Sequence, residues 1–143
     1  MLDGMAANLH PSGLSQAFAL TLFKDWGIPG FLEHTLAVAK FYQNKRDEFL
    51  AICEKHLIGL AKWNVPQGGM FVWLELLGVD DTSDLISTRA VEKKVLFVPG
   101  AEFLPISGPS SHVRASYSVA SVSDMDTAIS RLRELLIEEK RGN

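Results

Sequence analysis

The sequence predicts an α+β domain, a few strands covered by helices and preceded by two helices, one of them long. Two observations lead there. Apolar residues recur at helical spacing from Leu14 to Leu57 and again from Met125 to Leu136. Between these stretches the chain breaks into short β-branched and aromatic runs separated by Gly and Pro turns. At 143 residues and 47% hydrophobic content, it has material for one ordinary globular core.

Residues 1–10 lack periodicity and read as loop or extended chain. Ser12 is placed to cap a helix running to about Trp26, with Leu14, Phe18, Leu22 and Phe23 toward a core. Gly27 stops it, and Pro29 suits the first turn of the next helix. That second helix extends to about Leu57. Phe31, Val38, Tyr42, Phe49, Cys53 and Leu57 step along it by sevens and fours, which keeps them on one stripe. A helix this long with a single stripe suggests a connection between two structural units.

Trp63-Asn64-Val65 reads as a short strand, Pro66-Gln67-Gly68-Gly69 as a turn, and Met70 to Leu76 as a strong strand. Asp81-Thr82-Ser83-Asp84 begins a helix to about Lys94. Val95 to Val98 is a third strand, with Pro99-Gly100 turning after it. Residues 104–111 are loop and Val113 to Val119 the fourth strand. Ser123 is placed to cap the last helix, whose stripe is Met125, Ala128, Ile129, Leu132, Leu135 and Leu136. The order is α-α-β-β-α-β-β-α.

Composition excludes several functions. A net charge of −3 argues against a nucleic-acid surface, which needs clustered Lys and Arg. No apolar run approaches the ~18 residues of a membrane span, and the first residues lack a secretory pattern. Cys53 is the only cysteine, so no internal disulfide or cysteine-based metal cluster is possible; it reads as a buried small hydrophobe. His10, His34 and His56 are scattered and suggest no metal site. Ser110, Ser111 and His112 are adjacent, but adjacency does not make a catalytic triad. Asp80, Asp81 and Asp84 read as helix-start chemistry.

One strand carries an unusual side chain. On Val113 to Ser118, alternation puts Val113, Ala115 and Tyr117 on one face and Arg114, Ser116 and Ser118 on the other. A guanidinium fixed on a strand is a planar fork suited to a carboxylate. It can equally serve a structural salt bridge or face solvent. Phe71, after the Gly68-Gly69 turn, reads as a strand residue, and Leu9 as an interface or core leucine.

An ordered set of motifs resembles the C-terminal part of fold-type I (class I/II), pyridoxal-phosphate-dependent aminotransferases, in the kynurenine/α-aminoadipate branch. The set begins with Leu9-His10-Pro11-Ser12, Trp26-Gly27, Gly30-Phe31 with His34, and Phe41-Tyr42 with Arg46-Asp47. It continues with Val65-Pro66, Gly68 to Leu74, Val98 to Phe103, Val113 to Ser118 and Ala120-Ser121. The resemblance covers nearly the whole chain. It implies that residues 1–28 are the tail of a large cofactor-binding domain, 29–58 a connecting helix and 59–143 the small C-terminal α+β domain. It also implies that Arg114 grips the substrate α-carboxylate, that Phe71 lies near the substrate side chain, and that Leu9 reaches toward the partner subunit's active site.

The resemblance further implies a pyridoxal 5'-phosphate cofactor, an L-amino acid (aromatic, kynurenine or aminoadipate type) and a 2-oxo acid as substrates, and a homodimer in the cytoplasm or mitochondrion. In the family, the Schiff-base Lys and the other cofactor ligands precede the Leu-His-Pro-Ser element. The eight lysines here match no such motif, so no residue of this chain is assigned to catalysis, cofactor or metal. The expectation is a fragment of an aminotransferase, inactive alone. The alternative is a non-catalytic carboxylate-binding module, or one that captures a full-length subunit.

Overall fold

The computed structural model describes residues 11–142; the expected loop over residues 1–10 lies outside them. Two compact units divide between Lys40 and Phe41. The first helical element, α1, covers Gly13–Leu57 and is broken at Gly27, whose φ of 66° and ψ of 172° leave helical space. A left-handed φ is what glycine allows at least cost, and it ends the first helical segment where the sequence predicts. Pro29 lacks an N–H, but so soon after the break that loss is cheap.

In the first unit, rings meet across this break. Phe23 and Phe31 are edge to face at 4.8 Å, and Trp26 lies 5.0 Å from the His34 ring. Gly30 permits this proximity, since a Cβ there would come within 3.3 Å of the Trp26 Cβ. The stripe expected to face a core is exposed instead, with Leu14 and Phe18 at 67% and 69% and Leu22 and Phe23 above a third. Helical spacing gives the stripe but cannot supply the surface that would cover it.

The second unit holds one core. Phe49, Leu50, Ile52, Cys53 and Leu57 from α1 join the sheet's inner face and the last helix. Leu57 is followed by Gly59 at φ 77°, and the Leu60 N–H bonds back to the Leu57 carbonyl. The sheet has four antiparallel strands in the order β1-β2-β4-β3. They are β1 (Ala61–Trp63), β2 (Phe71–Leu76), β3 (Val98–Pro99) and β4 (His112–Ser116). Val72, Leu74 and Leu76 face the core with Val113 and Ala115, and Tyr117 follows them inward. The alternation read from Val113, Ala115 and Tyr117 therefore holds.

The strand boundaries move, most at β1, β3 and β4. β1 begins two residues earlier than expected, because Ala61 is the buried residue and pairs with Leu76, while Val65 is exposed. The third strand starts only at Val98: the Val95 N–H is committed to the Ala90 carbonyl, closing the preceding helix. The fourth ends at Ser116, where Ser116 and Ser118 hydroxyls bond at 3.0 Å, and Val119 lies in solvent.

Helical structure between β2 and β3 centres on a π-helical turn, Leu85–Ala90. The Asp81 carboxylate accepts from the Ser83 N–H and hydroxyl, and these bonds hold its carboxyl below the usual range. The final helix, α2 (Val122–Gly142), buries Met125, Ile129, Leu132, Leu135 and Leu136. Its cap is Ser121, not Ser123 as the sequence suggests: the Ser121 hydroxyl accepts from the Asp124 N–H at 3.1 Å and donates to its carboxylate at 2.6 Å. Ser121 lies three residues before that N–H, the spacing a cap requires.

α1 and α2 are also tied by charge. Lys55 Nζ and His56 Nε2 lie 2.8 and 3.0 Å from one Asp126 oxygen. Hydrogen bonds from Lys55 and then His56 hold the Asp126 carboxyl below the usual range. A carboxyl depressed on folding adds stability above its unfolded pKa and loses it as pH falls through the folded value. Asp126→Asn is therefore expected to lower the urea midpoint at neutral pH, with the deficit vanishing well below the carboxylate range. An equal deficit at both pH values would refute this linkage.

Candidate functional site

The outer face of the sheet follows from the inner one. With Val72, Leu74, Val113 and Ala115 turned inward, Phe71, Trp73 and Glu75 of β2 must share the opposite face with His112, Arg114 and Ser116 of β4. Register sets Trp73 across from Arg114, with Val98 of β3 on its other side.

Arg114 is half-buried, and its guanidinium carbon stands 4.3 Å from the centre of the Phe71 ring and 4.8 Å from that of Phe103. Each contact of this kind is worth about 0.5–1 kcal/mol where solvent has access. Among the described residues Arg114 makes no ion pair, whereas Arg46 and Arg89 pair with carboxylates. Its N–H donors are thus arranged for an acceptor from outside this set.

The turn before Phe71 is pinned from three directions. Arg46 Nη1 donates to the Pro66 carbonyl at 3.1 Å. The Tyr117 hydroxyl donates to the Gly69 carbonyl at 2.7 Å, and its N–H to the Met70 carbonyl at 3.2 Å. Burial raises the Tyr117 pKa, which keeps the phenol a donor. Gly69 sits at φ 85°, where a side chain would be strained. Phe71 thereby enters β2 at a fixed height.

Phe103 ends a 3₁₀ turn, Gly100–Phe103. Gly100 is buried against β4, and a Cβ there would come within 2.7 Å of the His112 carbonyl oxygen and against the Ser110 hydroxyl. Aromatic contacts continue along the face: Phe103 meets Trp73 edge to face at 5.3 Å, and Trp73 stacks on the His112 ring at 5.5 Å. Beside Phe71 and Trp73 opens a cleft of about 550 Å³, edged by Lys62, Trp63, Glu75 and His112.

Of the residues singled out in the sequence, Arg114 and Phe71 are brought together here, and Leu9 lies outside the described residues. Sequence reasoning gives Phe103 and Trp73 no place in the site. Period-two alternation could have set Trp73 beside Phe71; nothing local could have brought Phe103 to β4. Ser110 and Ser111 play structural parts, with the Ser110 hydroxyl accepting from the His112 N–H at 3.3 Å. Cys53 is fully buried and its thiol pushed up to about 12 by that burial, consistent with a core role.

No family model matches the chain. Mouse kynurenine/alpha-aminoadipate aminotransferase, a mitochondrial protein by name, is 44% identical over 139 residues, covering 96% of this chain and 33% of its own length. Two solved structures share the fold. One is LysN, the alpha-aminoadipate aminotransferase of Thermus thermophilus, complexed with N-(5'-phosphopyridoxyl)-L-leucine: TM-score 0.81, 29% identity, 97% of this chain and 34% of that one. The other is the multiple substrate aminotransferase of Thermococcus profundus: TM-score 0.83, 27% identity, 99% of this chain and 34% of that one.

The fold and the matched sequence are those of the C-terminal part of a fold-type I aminotransferase. Over nearly its whole length the chain is similar to relatives named kynurenine/alpha-aminoadipate aminotransferase, and it spans about a third of the length of the relatives it matches.

The cofactor implied by such a family is pyridoxal phosphate, and these residues do not fit as its holder. A Schiff-base lysine needs an amine free to lose its proton. Lys45 and Lys140 donate to the Ala120 and Gly59 carbonyls, and Lys55 and Lys93 pair with Asp126 and Glu138. Lys24, Lys40, Lys62 and Lys94 are exposed.

The close approach of Gly100 to β4 is expected to be intolerant. Gly100→Ala should cost about 1–3 kcal/mol, as overpacking does, read as a lowered denaturation midpoint; an unchanged midpoint would show that the turn yields freely.

Proposed function

We propose that this chain is the substrate-gripping part of a pyridoxal-phosphate-dependent aminotransferase that moves an amino group from an L-amino acid of the aromatic, kynurenine or aminoadipate type to a 2-oxo acid. The observation that carries this reading is the Arg114 guanidinium, held against two rings on an exposed sheet face without a carboxylate partner among the described residues. A fork so placed can take both oxygens of an α-carboxylate, which fixes the orientation of the amine and the Cα–H. Phe71 borders the substrate side chain. Leu9 belongs to an element that approaches the active site of a second subunit in a homodimer. Residues 1–28 belong to the large domain, 29–58 connect, and 59–143 form the small domain. The whole protein works in the cytoplasm or the mitochondrion, the latter being where the mouse relative is named.

In this reading the chain supplies orientation and not the covalent chemistry, since its lysines are paired or exposed. The isolated chain given pyridoxal phosphate and an amino acid is expected to show no sustained transamination; turnover by it alone would sink that part of the reading. In the full-length protein, Arg114→Ala should lower kcat/KM for the amino acid by about 100-fold or more, the equivalent of two charge-assisted bonds at about 1.5 kcal/mol each. Arg114→Lys should recover little, because it restores charge without the fork. Activity near the parent's in both variants would refute the assignment of Arg114.

A further inference from the structure

We propose that Phe103, carried on the Gly100 turn, is a positioning residue that holds the Arg114 guanidinium ready for the substrate carboxylate; the inference rests on the reading of Arg114 above. An arginine side chain has many rotamers, and a fork that swings freely loses affinity each time it must be fixed. Arg114 lacks the usual restraint, an acidic partner, among the described residues. What confines it is aromatic. Phe71 lies 4.3 Å from the guanidinium carbon and Phe103 lies 4.8 Å from it. A ring contact restrains the cation without taking up its N–H donors, which stay free for an anion.

Phe103 is itself fixed from outside the strand pair. Gly100 lets the turn sit directly on the His112 carbonyl, and the Leu104 N–H closes it onto the Ala101 carbonyl at 3.2 Å. Trp73 then backs the Phe103 ring at 5.3 Å and is itself stacked on His112. The turn thus converts a close backbone approach into a ring position. The property required at 103 is an aromatic face, not apolar volume. At 44% exposure, Phe103 can be replaced without opening the core.

The test uses the full-length, cofactor-loaded protein. Binding of 3-phenylpropionate, a carboxylate without an amine, is measured by calorimetry beside KM and kcat for the amino acid. Phe103→Leu is expected to weaken the probe and raise KM about fivefold, the loss of one such cation–π contact, with kcat little changed. Phe103→Tyr is expected to restore both values. Phe103→Met repeats the test should the leucine variant not fold.

Parent-like binding in Phe103→Leu, with binding lost in Arg114→Ala, overturns the positioning role and leaves the carboxylate reading standing. Equal losses in the Leu and Tyr variants overturn it as well, by showing a packing role. Parent-like binding in Arg114→Ala removes the carboxylate reading and this inference with it.

Discussion

A one-residue slip between β2 and β4 would turn Arg114 into the core and put Val113 and Ala115 in solvent. The pairing of Val72 with Ala115 and of Leu74 with Val113 prevents this by burying both members of each pair. Fully burying a valine or leucine is worth about 1.5–3 kcal/mol, so a slip that exposed these side chains would forfeit several kcal/mol before the cost of an unpaired buried cation is added. The position of the guanidinium is therefore set by residues that never touch it. Tyr117 extends the same logic: its ring packs beside Phe49 at 6.1 Å while its hydroxyl holds the turn that delivers Phe71.

The outer face then separates two readings of Arg114. A structural salt bridge would need an acidic partner, and none is found among the described residues. A wholly solvated arginine would not keep its guanidinium carbon 4.3 and 4.8 Å from two ring centres. Two cation–π contacts of about 0.5–1 kcal/mol each hold the side chain without using its N–H donors, as the proposed role of carboxylate anchor requires.

Much of this fold is legible in the sequence because its signals are local. Gly27 breaks the first helix, Leu57 ends the second, and alternation from Val113 to Tyr117 gives the correct faces. What is not legible depends on contacts between distant residues. The third strand shrinks because the Val95 N–H is used by the helix behind it, a competition settled in three dimensions. Phe103 reaches Arg114 only because a glycine three positions earlier can lie against β4, and no periodicity encodes that. The first unit fails differently. The spacing of Leu14, Phe18 and Leu22 is a sound helix signal, but an apolar stripe states only that burial is favourable, not where the covering surface lies.

The cations of the second unit divide by task, and the division follows from what each side chain faces. Lys55 and Lys93 meet carboxylates carried on α2, with His56 beside the same Asp126, and Arg46 fixes the Pro66 carbonyl. These groups hold elements together and have their donors engaged. Arg114 lies directly across from an aromatic residue, Trp73, while the acid on that face of β2, Glu75, stands one pair further along, opposite His112. Had the residue at Trp73 been acidic, it would sit directly across the strand pair and claim the guanidinium, since cross-strand opposite charges attract. An aromatic residue there does the reverse: Trp73 supports Phe103, Phe103 confines the cation, and the fork remains available. The choice of tryptophan over an acid at that one position keeps a surface arginine from becoming an ordinary ion pair.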